Sequence, residues 1–272
     1  MTTKRPIGTS RSPEISRRRL MQVVGAAGAT AFVGACSDPG VKQGSPAATQ
    51  AVPPITVPPQ PVATTPAPLA VPPVQSASGI MFCRDTWGAR PPLPGGRPHV
   101  ITRMTIHHTA VVLADNRDIT ARLRQHQRYH QDEKGWVDIA YHVGVDRLGN
   151  IFALRRTGIA GDTATNYDTT GHFLVVCEGN FDEEPISEEQ LDGAALAFAW
   201  AAQEFGITSS TLKSHQQVTA TTSCPGADLQ AHVDSGDLKA RIDNFLSGGT
   251  VDLQALCLPQ AAEAVAAIEA GR

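Results

Sequence analysis

From Asp38 to Ser78 the chain is built largely of Pro, Ala, Thr, Val and Gln, with almost no charge and neither a helical nor a strand period. Such a stretch cannot bury enough apolar surface to offset the entropy of ordering it, which predicts a disordered, partly polyproline II tether over 37–79. The tether separates an N-terminal segment, 1–36, from a body of about 190 residues, enough for one α/β domain with its own core. That domain is expected over 80–260, with 261–272 as a tail. The net charge of −3 gives no electrostatic case for nucleic acid.

The N-terminal segment reads as an address. Ser16-Arg17-Arg18-Arg19-Leu20-Met21 precedes an uncharged run rich in Gly and Ala, Val23 to Ala35. A basic start, a twin arginine and a short, weakly apolar stretch resemble a twin-arginine export signal. The run falls short of the roughly 20 residues that cross a bilayer. It ends in Val33-Gly34-Ala35-Cys36, which resembles a lipoprotein processing box, so Cys36 is the expected lipidation site; ordinary cleavage after Ala35 is the alternative. Membrane contact would then be made only through the lipid, and the tether would let an anchored domain reach the wall.

Outside the cytosol disulfides become possible. Of the five cysteines, Cys177 lies in the apolar run Phe173 to Cys177 and is expected to be a buried free thiol. Cys83 and Cys257 lie near the two ends of the folded domain, where chain ends often meet, and are expected to bridge.

Within the domain, Val100 to His107 alternates and reads as a strand, and Asp118 to Gln131 as an amphipathic helix ended near Gly135. Strands follow at Ala140 to Asp146 and Ile151 to Arg155, joined by a turn at Leu148-Gly149-Asn150. Phe173 to Glu178 reads as a buried strand. Ser187 and Gln190 suggest a capping box opening an Ala-rich helix to about Phe205, which Gly206 stops. A short strand near Thr211 to Ser214 precedes His215, and two helical segments are expected to close the domain. The alternation argues for a central mixed β-sheet flanked by helices.

Three positions carry metal-binding chemistry. One is His107 or His108 at the end of a strand; the others are His215 and Cys224. Zinc favours imidazole and thiolate, and a catalytic site keeps three protein ligands and one open position. Strand alternation puts His107 and His108 on opposite faces, so at most one easily faces a metal. Cys224 precedes Pro225-Gly226 and an expected helix start, which favours thiolate. A rival pair, His126 and His130, shares a helix face, but His126 reads as solvated. No phosphate-cradling Gly loop and no Gly-x-Ser-x-Gly elbow occurs.

Five stretches, in order, resemble the zinc amidase family that includes peptidoglycan recognition proteins and the amidase-type phage lysozymes. They are Thr86-Trp87-Gly88-Ala89-Arg90, Ile106-His107-His108-Thr109-Ala110, Gly135 through His142, Gly179-Asn180-Phe181, and His215 through Cys224-Pro225-Gly226. Together they span about residues 84–246. The resemblance implies His107, His215 and Cys224 as zinc ligands, Tyr141 and Thr222 as catalytic residues, and His108 and His130 as structural. Eight residues separate His215 from Cys224, one more than the family spacing, so Thr221 competes with Thr222 for its role.

The implied activity is zinc-dependent hydrolysis of the amide between N-acetylmuramic acid and L-alanine in peptidoglycan or muropeptides, by a monomer. Tyr141 would donate to the oxyanion and help move a proton with Thr222. Glu178, acidic at the end of a buried strand, is a weaker candidate base. Thr109, Gly135, Trp136 and Arg155 are the expected substrate-binding residues. Gly135-Trp136 resembles a pair found in members that prefer meso-diaminopimelate, whose extra carboxylate Arg155 would meet. The competing readings are a non-catalytic peptidoglycan-binding module of the same fold, against which Cys224 speaks, and a zinc hydrolase of another cell-wall amide.

Overall fold

Short runs of β-branched and apolar residues form seven strands: β1 (Ala77–Phe82), β2 (Arg103–His108), β3 (Val143–Val145), β4 (Ile151–Ala153), β5 (His172–Cys177), β6 (Leu212–Ser214) and β7 (Val251–Leu256). This computed structural model describes residues 77–271; the export signal, Cys36 and the tether as far as 76 lie outside the described residues. The strands join in one sheet of order β6-β2-β5-β3-β4-β1-β7. Only β3 and β4, linked by the expected turn, pair antiparallel; every other pairing is parallel. The sheet is therefore mixed, as the alternation predicts.

Helices cover both faces. One carries α2 (Glu188–Glu204), α4 (Ala227–Asp234) and α5 (Asp237–Ser247), whose Ala195, Phe198, Leu229 and Ile242 meet Met104, Ile106, Phe173 and Val175. The other carries α1 (Ile119–Arg128) and α6 (Ala262–Glu269), where Ile119, Leu123, Val265 and Ile268 meet Trp87, Phe152 and Val176. Successive residues of β5 thus serve opposite cores, the period of two expected of a strand. A short helix, α3 (His215–Val218), follows β6 directly.

Several expectations need correction. The chain enters the sheet at Ala77, so the tether ends before 79. Its extreme C-terminus is not a tail: α6 buries Val265 and Ile268. The domain closes with β7 and α6 after its two helical segments. α1 ends at Arg128 and passes into a π-helical turn, Tyr129–Glu133. Ser187 does cap α2 by accepting from Gln190 N at 3.2 Å. The Gln190 amide, however, reaches the buried carbonyls of Val145 and Glu178 at 2.9 and 3.0 Å. Val145 ends β3 and Glu178 follows β5; the Val145 carbonyl also accepts from Glu178 N at 2.9 Å, and a buried acceptor without a donor is costly.

Phe82 pairs with Leu256 in the parallel β1–β7 ladder. The next residue on each strand is therefore adjacent, and Cys83 and Cys257 are bridged. Cys177 is a buried free cysteine. Among the described residues no helix is long and apolar enough to cross a membrane.

Candidate metal centre and cleft

Parallel pairing brings the carboxyl ends of β2, β5 and β6 to one edge of the sheet, where ligand sites of α/β folds collect. Ile106 of β2 pairs with Ser214 of β6. The following residues, His107 and His215, therefore stand side by side, with ring centroids 4.6 Å apart. Ser214 and Gln217 form a full capping box that starts α3 and fixes the backbone at His215.

Cys224 arrives from the Thr-rich loop. Its carbonyl accepts from Gln216 N at 2.8 Å, its own N–H donates to Thr222 Oγ1 at 3.1 Å, and His108 N donates to its Sγ at 3.4 Å. Gly226 beyond it has φ 89°, and a Cβ there would sit 2.6 Å from the Phe181 carbonyl carbon. Only glycine lets the chain pass this close.

The ligand atoms of His107, His215 and Cys224 lie within 4.8 Å of one another, and all three residues are buried. Tetrahedral zinc, with Zn–S about 2.3 Å and Zn–N about 2.0–2.1 Å, holds sulfur and nitrogen roughly 3.6 Å apart. Cys224 Sγ and His107 Nδ1 are 3.6 Å apart. The donor set and its spacing fit zinc.

Electrostatics agree. Burial, then His215, holds His107 well below the ordinary imidazole range; burial, then His108, brings His215 down to about 4. Both rings are thus neutral near pH 7, the form a metal would need. Burial pushes the Cys224 thiol up to about 12, against the opposing His108 N–H. A cation's charge is what would draw off that proton.

The outer ring nitrogens are also held. His215 Nε2 lies 2.8 Å from Thr165 Oγ1, and His107 Nε2 lies 3.4 Å from the Tyr167 hydroxyl. Such contacts set tautomer and ring orientation in metal sites. Thr165 and Tyr167 belong to the loop between β4 and β5, and nothing in its polar, aperiodic sequence singled them out.

The centre opens on a cleft of about 980 Å³ lined by His107, Tyr141, Trp136, Thr109 and Thr222 among others. The Tyr141 ring lies tilted at 52° to His107 with centroids 5.1 Å apart, and burial, then Cys224, raises its phenol well above the ordinary range. It therefore remains a proton donor at neutral pH. Trp136 is half-buried against His130, ring centroids 4.8 Å apart, and Gly135 turns the chain with φ 68°. Thr109 exchanges hydrogen bonds with Gly179 at 3.1 and 3.2 Å. Thr222 lines the cleft, whereas the exposed Thr221 bonds Thr219 at 3.1 Å.

Other expectations fare differently. His108 turns to the opposite core, its ring stacked 6.1 Å from Phe181. Arg155 is not among the residues lining this cleft: its buried guanidinium donates to the carbonyls of Ile139, Ala160 and Asp138 and to Asp162. These acceptors engage four of its five N–H groups within the protein. His126 is not solvated; its Nε2 lies 3.1 Å from the buried Glu178 carboxylate. His130 Nδ1 accepts from Ala140 N at 3.2 Å, so each ring of the His126–His130 pair has one nitrogen engaged outside the pair.

The family model described as N-acetylmuramoyl-L-alanine amidase matches residues 96–227. Peptidoglycan-recognition protein LB of Drosophila melanogaster is 31% identical over 167 residues, 58% of this chain and 69% of that protein. The N-acetylmuramoyl-L-alanine amidase of Homo sapiens is 31% identical over 156 residues, 54% of this chain and 26% of that protein. Among solved structures, a mutant of Drosophila PGRP-LB in complex with tracheal cytotoxin superposes with a TM-score of 0.51 at 29% identity. That match covers 57% of this chain and 93% of the other.

Proposed function

The chain belongs to the family of type 2 N-acetylmuramoyl-L-alanine amidases and peptidoglycan recognition proteins, and from that premise we propose that it is a zinc-dependent amidase. It would cleave the amide between N-acetylmuramic acid and L-alanine. The convergence of two neutral imidazoles and a thiol on one zinc-sized volume carries this reading. A binding-only protein has no need of that convergence.

His107, His215 and Cys224 hold the ion, and Thr165 and Tyr167 orient the two rings. Zinc bound there supplies Lewis acidity toward the amide carbonyl and a lowered pKa for water. The Tyr141 phenol, kept protonated by its surroundings, donates to the oxyanion as the carbonyl carbon becomes tetrahedral. Thr222 accepts the Cys224 N–H through Oγ1, which leaves its own O–H to donate to substrate. Trp136 forms a wall for the stem peptide, and Gly135-Trp136 favours the diaminopimelate type. The segment 1–36 supports export, with lipid attachment at Cys36, and the tether supports reach toward the wall.

Mass spectrometry of digested muropeptides tests the reading. Wild type should release free stem peptide; a chelator should stop this and added zinc restore it. Cys224→Ala should abolish release, and Tyr141→Phe should slow it about 100-fold, the usual cost of one oxyanion donor. Full activity in Cys224→Ala would overturn the assignment.

A further inference from the structure

Glu178 is wholly buried, 0% exposed, immediately after β5. A carboxylate in such a place needs a partner, and α1 supplies it. His126 Nε2 lies 3.1 Å from one carboxylate oxygen and 3.3 Å from the other. The imidazole is not buried with its partner: its side chain is 16% exposed and lines the cleft. Among the described residues its Nδ1 makes no hydrogen bond.

One turn earlier on the same helix, Arg122 also lines the cleft, and among the described residues no carboxylate pairs with it. Residues four apart share a helix face. The neighbouring charges are committed elsewhere. Asp132 pairs with Arg90 at 2.9 Å, Asp162 with Arg155 at 2.6 Å, and Lys134 lies over the Tyr129 ring at 5.2 Å. Arg128 and Glu133 are exposed at the rim.

We infer that Arg122 and His126 form a carboxylate-binding site in the wall of the amidase cleft, with Glu178 as the residue that positions the imidazole. Its ligand class rests on the amidase reading: a stem peptide presents free carboxylates along its side and at its C-terminus. Glu178 fixes the ring through Nε2, and a carboxylate at Nδ1 makes both ring nitrogens donors. The Arg122 guanidinium supplies the fixed charge and a second donor.

The test uses zinc-loaded protein and a stem tetrapeptide, which lacks the muramoyl amide and is not hydrolysed. Five forms of the diaminopimelate tetrapeptide are compared by calorimetry: all three carboxylates free, the D-glutamyl, the diaminopimelyl or the C-terminal carboxylate amidated singly, and all three amidated. Amidation at one of the three positions should weaken wild-type binding roughly tenfold or more, the loss of a charge-assisted hydrogen bond. Arg122→Gln and His126→Gln should bind the free form about as weakly and lose the distinction. Glu178→Gln should narrow it. Arg122 is a surface residue, so its variant keeps the test open if Glu178→Gln fails to fold. Equal binding of all five forms, no measurable binding by wild type, or discrimination surviving in both cationic variants would overturn the site. On muramoyl peptides Arg122→Gln should raise KM more than it lowers kcat. No turnover by wild type would instead count against the amidase reading, leaving the calorimetric ratio to decide this one.

Discussion

Cys224 has to lose a proton before it can bind a metal. Burial sets its thiol at about 12 and His215 at about 4, with His107 well below the ordinary range. Near neutrality the rings are already deprotonated, so zinc loading displaces one proton, from sulfur. Raising the pH eases that loss, so apparent zinc affinity should climb about tenfold per pH unit between roughly pH 5.5 and 8. Below about pH 4, where His215 also takes a proton, the fall should steepen. A chelator-competition titration reads the slope, and a flat profile would remove the thiol from the ligand set. Thr165→Val deletes the acceptor 2.8 Å from His215 Nε2. It should weaken zinc binding about tenfold or more while leaving the melting temperature nearly unchanged. Of the candidate ligands, residue type and strand alternation left His107 and His108 as alternatives beside His215 and Cys224, and the family resemblance chose His107; the structure brings His107, His215 and Cys224 together. Thr165 was not legible, since no periodicity links a loop threonine to a histidine at a distant helix start. Arg155 misled for a related reason: its partners are mostly backbone carbonyls, which every residue carries.

Among the elements, those with strong internal pattern were readable: the alternation of β2, the apolar run of β5, and the Ser187 start of α2. β7 carries an equally clear pattern, with Val251 and Leu253 buried and Asp252 and Gln254 exposed. It was hidden by its place after two helices, where a parallel partner such as β1 cannot be inferred locally. β1 itself is masked by the Ala- and Ser-rich composition it shares with the tether. The loop that delivers Cys224 depends on a contact no pattern displays, the approach of Gly226 to the Phe181 backbone. Gly226→Ala must move that backbone or abandon a left-handed φ, at a cost of about 1–3 kcal/mol. The expected result is a lower melting temperature together with lost zinc stoichiometry by metal analysis. Normal zinc content in a destabilised variant would mean that the loop seats Cys224 without this contact.

For the molecule as a whole, the Cys83–Cys257 bridge ties residues 174 positions apart, joining strands from the two ends of the domain. Closing so long a loop restricts the unfolded chain more than the folded one. Replacing both cysteines by serine should therefore cost about 2–5 kcal/mol in urea denaturation. The bridge also links fold to compartment, because a cytosolic chain is kept reduced whereas an exported one is not. If Arg17 and Arg18 direct export of the folded chain, then Arg17→Lys with Arg18→Lys should hold it in the cytosol, and Cys83 and Cys257 should then react with an alkylating agent. Wild type recovered from the envelope should leave both unmodified by mass spectrometry. Buried Cys177 should behave alike in the two samples, which provides the internal reference. An equally protected pair in the twin-lysine variant would show that the bridge forms before export and would break the connection between signal and disulfide.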